Sequence, residues 1–461
     1  MVEKFLNIFR IPDLRKRVLF TAAILAVYRL GAWLPTPGVN TLLLQRLFDT
    51  QAGSALGLMN LFGGGNLRRM TIFALGIMPY ITASIIFQLL TVVYEPLARM
   101  QKEGELGRRK ITQWTRYLTV VLGVLQSIGI AAILSKENLV LNPGIGFDLM
   151  TILTLTAGTT FIMWLGEQIT DRGIGNGMSL LIFAGIVAGL PRGVAEIVQK
   201  IQTGAWGGFT LGAVLIMLVG MIVIVAFIVY VERAERRIPI QSARRIVGRR
   251  MMGGQSSHLP LKVNSGGVMP IIFASSILSA PLLFGQADWI QSNRLLEPIM
   301  RALTPGYPWY VFLNFIGIIF FAYFYVSIVM KPDDIADNFR KSGSFIPGIR
   351  PGKRTSDFIN DILTRITLVG ALYLFLVWLI PTWMISGLRF DQLFLVGHAF
   401  ESLPNWMTHG LGVNFYFGGT SLLIVVGVAM DTINQVESQL IMRHYEGFSP
   451  RSGRVRGRKT W

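Results

Sequence analysis

Long uncharged apolar runs constrain this sequence more than any other feature. A helix needs about 20 apolar residues to cross the hydrocarbon core of a bilayer. Ten runs of that order occur, at residues 18–36, 71–93, 115–134, 149–169, 174–190, 209–231, 268–286, 310–330, 366–386 and 417–436. With 52% apolar and 15% charged residues, the composition is too apolar for an ordinary soluble protein. We therefore predict an all-α polytopic membrane protein with about ten transmembrane helices.

The positive charges fall mainly on one side of the predicted spans. If the N-terminus is cytoplasmic, about three quarters of the 43 Lys and Arg residues lie in cytoplasmic segments. The positive-inside rule then places both termini in the cytoplasm, because basic loops are retained there.

The ten spans divide into two sets of five. An odd number of spans in each half would invert the second half relative to the first, which is compatible with an inverted repeat. The predicted division is a cytoplasmic N-terminus 1–17, a first half 18–190, an external hinge loop 191–208, a second half 209–436 and a basic cytoplasmic tail 437–461. The second half contains two cytoplasmic loops, 232–267 and 331–365.

Residues that carry chemistry are scarce. The chain has no cysteine and only four scattered histidines, which argues against thiolate or histidine metal sites. The glycines of 173–177 superficially resemble a phosphate loop, but no strand precedes them and no Lys-Ser/Thr follows. A helix–helix turn explains them better. We predict no catalytic residue, metal or cofactor, and nothing indicates an enzyme.

The middle of the predicted membrane region is uncharged. Arg29, Glu167 and Asp431 all lie near span ends, where snorkelling or interfacial pairing accounts for them. Ion-coupled carriers generally need ionisable groups near the midplane. This pattern argues against a secondary transporter with an inverted repeat, which helix count alone would permit.

Two aliphatic pairs are spaced so that both members share one helix face. They are Ile77 with Ile81 and Met178 with Ile182, each at i, i+4. Such residues can line a pore, but in a membrane helix they more often face lipid or a neighbouring helix. Between the first two spans, residues 54–68 are apolar and glycine-rich yet too short to cross. They form either a short helix that folds back into the protein or a surface loop.

The two long loops are strongly basic. Residues 232–262 hold eight basic and two acidic residues, and the second loop has a turned tip around Arg350. These charges could merely enforce topology or lie on anionic phospholipid. Arginine forks also suit phosphate partners such as ribosomal RNA. A membrane scaffold without a pore would fit the loops equally well.

Six strings of residues carry a family resemblance. They are 73–86, 163–170, 173–177, 257–264, 341–352 and 415–424, in that order along the chain. Over nearly its whole length the chain resembles the SecY/Sec61-alpha family, whose bacterial members form the channel of the Sec protein translocase. The resemblance implies a clam-shell of two inverted five-helix halves in the bacterial cytoplasmic (inner) membrane. It also implies a passive pore that passes unfolded secretory proteins and releases membrane-protein segments sideways into lipid.

The resemblance also implies roles for particular residues. The constriction ring would be Ile77, Ile81, Met178, Ile182, Ile272 and Ile424, with Met178 where the family commonly has isoleucine. The plug segment, residues 54–70, would include Leu56, Leu58, Met59, Asn60, Leu61, Phe62, Gly63 and Gly64. The lateral gate would be formed by spans 2 and 7, with Thr82, Gln88, Ser275 and Ser276. The residues that dock a ribosome or motor ATPase would be Arg244, Arg245, Arg249, Arg250, Arg350 and Lys353.

The implied partners follow from the same resemblance. They are small membrane subunits resembling SecE and SecG, the motor ATPase SecA, the ribosome, signal sequences with their nascent secretory chains, and anionic phospholipid. Because the sequence contains no nucleotide site, the energy for transport would come from an associated machine or the membrane potential. The stretch 381–413 is longer than expected for the family, and the sequence offers no purpose for it.

Overall fold

The computed structural model describes residues 11–50, 60, 63–203, 210–242, 245–247, 250–252, 256–284, 300, 303, 307–386 and 419–448. Most of the long stretch 381–413 lies outside these ranges, as do five of the eight named plug residues, Leu56, Leu58, Met59, Leu61 and Phe62. Arg244 and Arg249 of the first basic loop also lie outside the described residues.

Helices dominate the described part of the chain. The first half contains α1 (Pro12–Gly31), α2 (Thr41–Thr50), α3 (Met78–Val93), α4 (Glu95–Lys102), α5 (Glu105–Lys136), α6 (Ile145–Arg172) and α7 (Gly177–Gln202). The second half contains α8 (Thr210–Arg233), α9 (Met269–Phe284), α10 (Pro308–Val329), α11 (Pro332–Ser342), α12 (Lys353–Ser386) and α13 (Gly419–Phe448). Each of the ten apolar runs coincides with one of these helices.

Local sequence explains where several helices begin. Proline occupies the first helical turn of α1, α3, α10 and α11, where its missing N–H costs nothing. Asn176 caps α7, because its side-chain oxygen accepts from the backbone N–H of Met178 at 3.1 Å. The 173–177 glycines therefore form a helix–helix connection rather than a phosphate loop.

Length and composition identify the strongest membrane spans. Among the described residues, five helices are long and apolar enough to cross a membrane, and six if the bent pair α3 and α4 counts as one. Those two helices meet at 99°. Helix α1 is apolar only in its middle, and α9 is 16 residues long.

Two helices extend beyond the predicted spans. The predicted hinge loop 191–208 is helical as far as Gln202, because α7 continues through Pro191 instead of ending there. Proline in a membrane helix is tolerated where neighbouring groups satisfy the freed carbonyl. In the second loop, α12 begins at Lys353, whereas the apolar run predicted a span from residue 366.

The predicted loops also contain strands that the sequence analysis did not anticipate. They are β1 (Glu235–Ser242), β2 (Arg245–Val247), β3 (Arg250–Met252), β4 (Ser256–Lys262) and β5 (Ser344–Phe345). Strands β4, β1 and β5 form an antiparallel sheet in that order, here called the loop sheet. Ile238, Ile240 and Leu261 bury one face of it, so an alternating pattern was present among the charges.

The described parts of the two halves meet along three helix contacts, of which that between α5 and α9 is the smallest. Helix α7 packs against α13, and α3 packs against α9. One apolar cluster at this junction draws buried residues from α1, α6, α7, α9 and α13. The core therefore joins the halves at the level of the aliphatic pairs.

Candidate channel constriction and gate

The six residues of the constriction ring come together although they are separated by up to about 350 positions. Ile77 directly precedes α3, Ile182 lies on α7, Ile272 on α9 and Ile424 on α13, and all four are buried in one cluster. Ile81 and Met178 are partly buried and pack against it. Four segments, two from each half, thus contribute aliphatic side chains to one place.

Met178 fits against a glycine on the neighbouring helix. A Cβ added at Gly166 of α6 would lie 2.5 Å from the Met178 sulfur. An unbranched thioether side chain can lie flat on such a surface. The position therefore keeps its apolar character while contacting α6 as well as the cluster.

A cavity of about 280 Å³ reaches the constriction from one side. Its lining includes Ile182, Ile272 and Ile424 of the ring together with Glu232 and Lys262. Those two residues lie at the start and end of the first basic loop. The cavity thus connects the basic, loop-bearing face with the apolar constriction.

The described part of the plug segment is buried rather than exposed. Gly64 has φ of +67°, and a Cβ there would lie 2.5 Å from the Gly185 Cα on α7. The Asn66 amide donates to the Tyr28 hydroxyl of α1 at 3.3 Å. Residues 63–70 form turns, while Asn60 is helical; the rest of 54–62 lies outside the described residues.

Asn60 organises the same segment from within. Its side-chain oxygen accepts from the Arg68 N–H, and its carbonyl oxygen accepts from the Gly65 N–H, both at 2.8 Å. Gly185, which Gly64 touches, lies one turn along α7 from Ile182. The plug segment therefore lies beside the ring, on the side of Ile182 away from the start of α7.

Helices α3 and α9 face one another as the lateral-gate prediction requires. Ile85 of α3 and Ile271 of α9 belong to a single buried cluster. The polar residues bond within their own helices: Thr82 donates to the Met78 carbonyl at 3.0 Å, and Ser275 donates to the Ile271 carbonyl at 2.8 Å. Gln88 donates to the Ser84 hydroxyl at 3.4 Å. Apolar packing thus makes a major contribution to this contact.

The two basic loops are brought together by the loop sheet. Phe345 of β5 pairs with Gln241 at the end of β1, just before the β2–β3 hairpin that carries Arg245 and Arg250. Arg350 and Lys353 are exposed at the tip that follows β5. The loop sheet therefore joins the β2–β3 hairpin of the first loop to the tip of the second.

Glu167, one of the three ionisable residues near the predicted span ends, is paired with an arginine of the neighbouring helix. Arg116 Nε of α5 lies 2.7 Å from Glu167 Oε1 of α6. This contact agrees with the interfacial pairing expected for Glu167.

The fold is shared with known protein-conducting channels. A solved protein conducting channel superposes with a TM-score of 0.67 at 17% identity, and the match covers 95% of both chains. Sec61 in a canine ribosome-channel complex gives a TM-score of 0.61 at 15% identity, again over 95% of both chains. The structure thus defines a multi-pass helical membrane protein with a channel fold.

Sequence comparison narrows this class to one family. The SecY family model matches residues 71–433. The protein translocase subunit SecY of Streptomyces griseus is 46% identical over 467 residues, covering 97% of this chain and 100% of that protein. The chain belongs to the SecY family.

Proposed function

We propose that this protein is the central pore-forming subunit of a protein-conducting channel. It would pass unfolded secretory proteins across the bacterial cytoplasmic membrane and release membrane-protein segments laterally into lipid. The observation that carries the proposal is the aliphatic cluster in which Ile77, Ile182, Ile272 and Ile424 meet from both halves.

An aliphatic constriction suits transport of varied chains. It offers no hydrogen bond to any particular passing residue, and an apolar constriction excludes water and ions by dewetting. Ile81 and Met178 are partly buried at its border, so they can repack around side chains of different size. Selectivity against ions and tolerance of sequence thus arise from the same side chains.

The plug segment and the α3–α9 contact complete this proposal. Gly64 and Asn66 hold the plug segment against α7 and α1, which would support the seal in the resting channel. Separation of α3 from α9 would open a path from the constriction to lipid. Because apolar packing supports this contact, a hydrophobic signal segment can replace it at little cost.

The loop sheet supports a docking role at the cytoplasmic face. Arg245, Arg250, Arg350 and Lys353 would meet polyanionic or acidic surfaces of a ribosome or of the ATPase SecA, with anionic phospholipid as a further contact. The Sec61 structure with the same fold is in a complex with a ribosome. We assign both termini to the cytoplasm on the positive-inside rule, and infer SecE- and SecG-like subunits from family membership.

The domain division follows the same proposal. Residues 18–190 and 209–436 would be the two inverted halves, and the connection between them would act as the hinge. Because α7 extends to Gln202, residues 191–202 of the predicted hinge loop are helical.

Crosslinking of a stalled secretory chain tests the pore directly. The chain has no cysteine, so single-cysteine variants label one position each. We expect Ile77→Cys and Ile272→Cys to form disulfides with a cysteine in the stalled chain. Leu153→Cys, on the exposed face of α6, is the matched control and should not react. Absence of crosslinks at both ring positions, with the chain stalled and the channel intact, would contradict the proposal.

A further inference from the structure

The start of α9 is held by a short turn that the channel function does not by itself explain. This gate turn, residues 262–268, connects β4 to α9, which carries Ile272 of the ring and the gate residue Ser275. Any movement of the gate turn is transmitted to both residues, because a helix moves as a rigid element.

Asn264 occupies the centre of the gate turn and is 5% exposed. Its amide nitrogen donates to Glu232 Oε1 at 2.6 Å and to the Gly267 carbonyl at 3.1 Å. Both amide hydrogens are therefore used, one within the turn and one across to the end of α8. The bond to Glu232 has a charged acceptor and is the stronger kind.

The surrounding backbone fixes the turn further. Val263 donates its N–H to the Ala234 carbonyl at 3.0 Å, which continues the β1–β4 pairing up to the turn. A Cβ at Gly370 of α12 would lie 2.7 Å from the Val263 carbonyl oxygen. Gly267 has φ of +57°, a conformation that favours glycine.

The bond between Asn264 and Glu232 is also next to the proposed path of the translocating chain. Glu232, Asn264 and Gly267 line the same 280 Å³ cavity as the ring residues Ile272 and Ile424. A chain segment that enters this cavity would contact the bond between Asn264 and Glu232 before it reaches the constriction.

We propose that Asn264 and Glu232 are positioning residues that latch α9 in the closed gate, and that occupation of the adjoining cavity releases them. This inference rests on the proposed channel function and deepens it, because it names the contact that sets when the gate opens. A hydrogen bond to a charged group that exists in only one of two states shifts their ratio by at least about tenfold.

The test measures gating rather than stability alone. Asn264→Ala and Glu232→Ala are introduced into the full translocase, and export of a reporter with a weakened signal sequence is compared with export of the intact reporter. Each variant should raise the ratio of weak-signal to intact export by about tenfold or more. Resting ion conductance in liposomes should rise in parallel.

Three further variants separate the latch from general damage. Glu232→Gln keeps an oxygen acceptor and should stay closer to the parent than Glu232→Ala. The double variant Asn264→Ala/Glu232→Ala should show no more than the larger single effect, since each single variant already removes the bond that the two residues share. Asn314→Ala is the matched control, because this buried asparagine of α10 donates to the Tyr310 carbonyl within its own helix. It should leave the export ratio unchanged.

Particular outcomes would overturn the proposal. An unchanged export ratio in both single variants at normal protein level would do so, and so would single effects that multiply in the double variant. If Asn264→Ala does not accumulate, Glu232→Ala against Glu232→Gln still decides, because a role confined to folding would not alter the ratio. Absence of crosslinks from Ile77→Cys and Ile272→Cys, with Asn264 and Glu232 unchanged, would instead refute the channel function itself.

Discussion

The constriction ring and the loop sheet are built on opposite principles. The ring gathers side chains from positions 77 to 424, and dispersion and burial hold them in one cluster. The loop sheet is held by main-chain pairing of β1 with β4 and β5, and the charged residues of β1 are exposed. Apolar packing tolerates changes of shape, whereas paired backbones hold a fixed surface.

This difference matches the two proposed tasks of sealing the channel and docking a partner. A seal that must fit many passing sequences needs side chains that repack, while a surface that docks a particular machine needs charges in fixed positions. The comparison predicts that charge will be most harmful in the ring and that charge reversal in the loop region will leave the fold intact.

The largest effect is expected from a charge in the ring. Ile182→Lys places an ammonium group at a position that is 7% exposed, and burying an unpaired ion costs several kcal/mol. Water drawn from the adjoining cavity would lower that cost, so the constriction would wet and ions would leak. We expect a large rise in resting conductance of channels in planar bilayers.

Ile182→Leu is the control, because it keeps volume and apolarity and should cost less than about 1.5 kcal/mol. Conductance that does not differ between the lysine and leucine variants would show that Ile182 does not belong to the seal.

A smaller effect is expected where backbone rather than side chain supports the seal. Gly64→Ala requires a positive φ that costs about 1–2 kcal/mol for a residue with a Cβ. In addition, the new Cβ would overlap Gly185 of α7. The plug segment should move off α7, which raises the resting leak less than Ile182→Lys does.

Gly104→Ala separates strain from overlap. Gly104 has φ of +82° but nothing lies within 4 Å of its added Cβ. It should therefore lose a similar amount of stability in thermal unfolding without any leak. Equal leaks in the two glycine variants would mean that the contact with Gly185 does not hold the plug segment.

The sequence predicted the ring better than the loop sheet, for physical reasons. Uncharged runs locate helices because a bilayer demands them, and the i, i+4 spacing placed Met178 and Ile182 on one face. Spacing could not assemble Ile272 and Ile424 with them, since that depends on how distant helices pack. Only the family resemblance joined these positions.

The loop sheet was missed because its strands are short and charged. Ile238 and Ile240 alternate with exposed residues, but arginines around them read as a solvated loop. Strand β1 pairs with β4 and, through Gln241, with Phe345 more than 100 residues away, and no local pattern reports such a partner. The Asn264–Glu232 bond was missed for the same reason, as it forms only when β1 and β4 pair.

The smallest effect on the fold is expected from Arg350→Glu. Arg350 is exposed at the tip after β5, and its backbone carbonyl oxygen accepts from the Thr355 hydroxyl at 2.9 Å. A change of side chain leaves that bond in place. The unfolding free energy should therefore change by no more than about 0.5 kcal/mol. Export driven by the ATPase should nevertheless fall, because a docking surface depends on the sign of its charges.

The matched control is Arg340→Glu on α11, an equally exposed arginine outside the proposed docking tip. Both variants lower the net charge of +18 by the same amount, so a general loss of positive charge would affect them equally. A selective defect at residue 350, at normal protein level, would locate docking at this tip. Normal export by the Arg350 variant, or equal defects in both, would mean that the loop sheet contributes only bulk charge and topology.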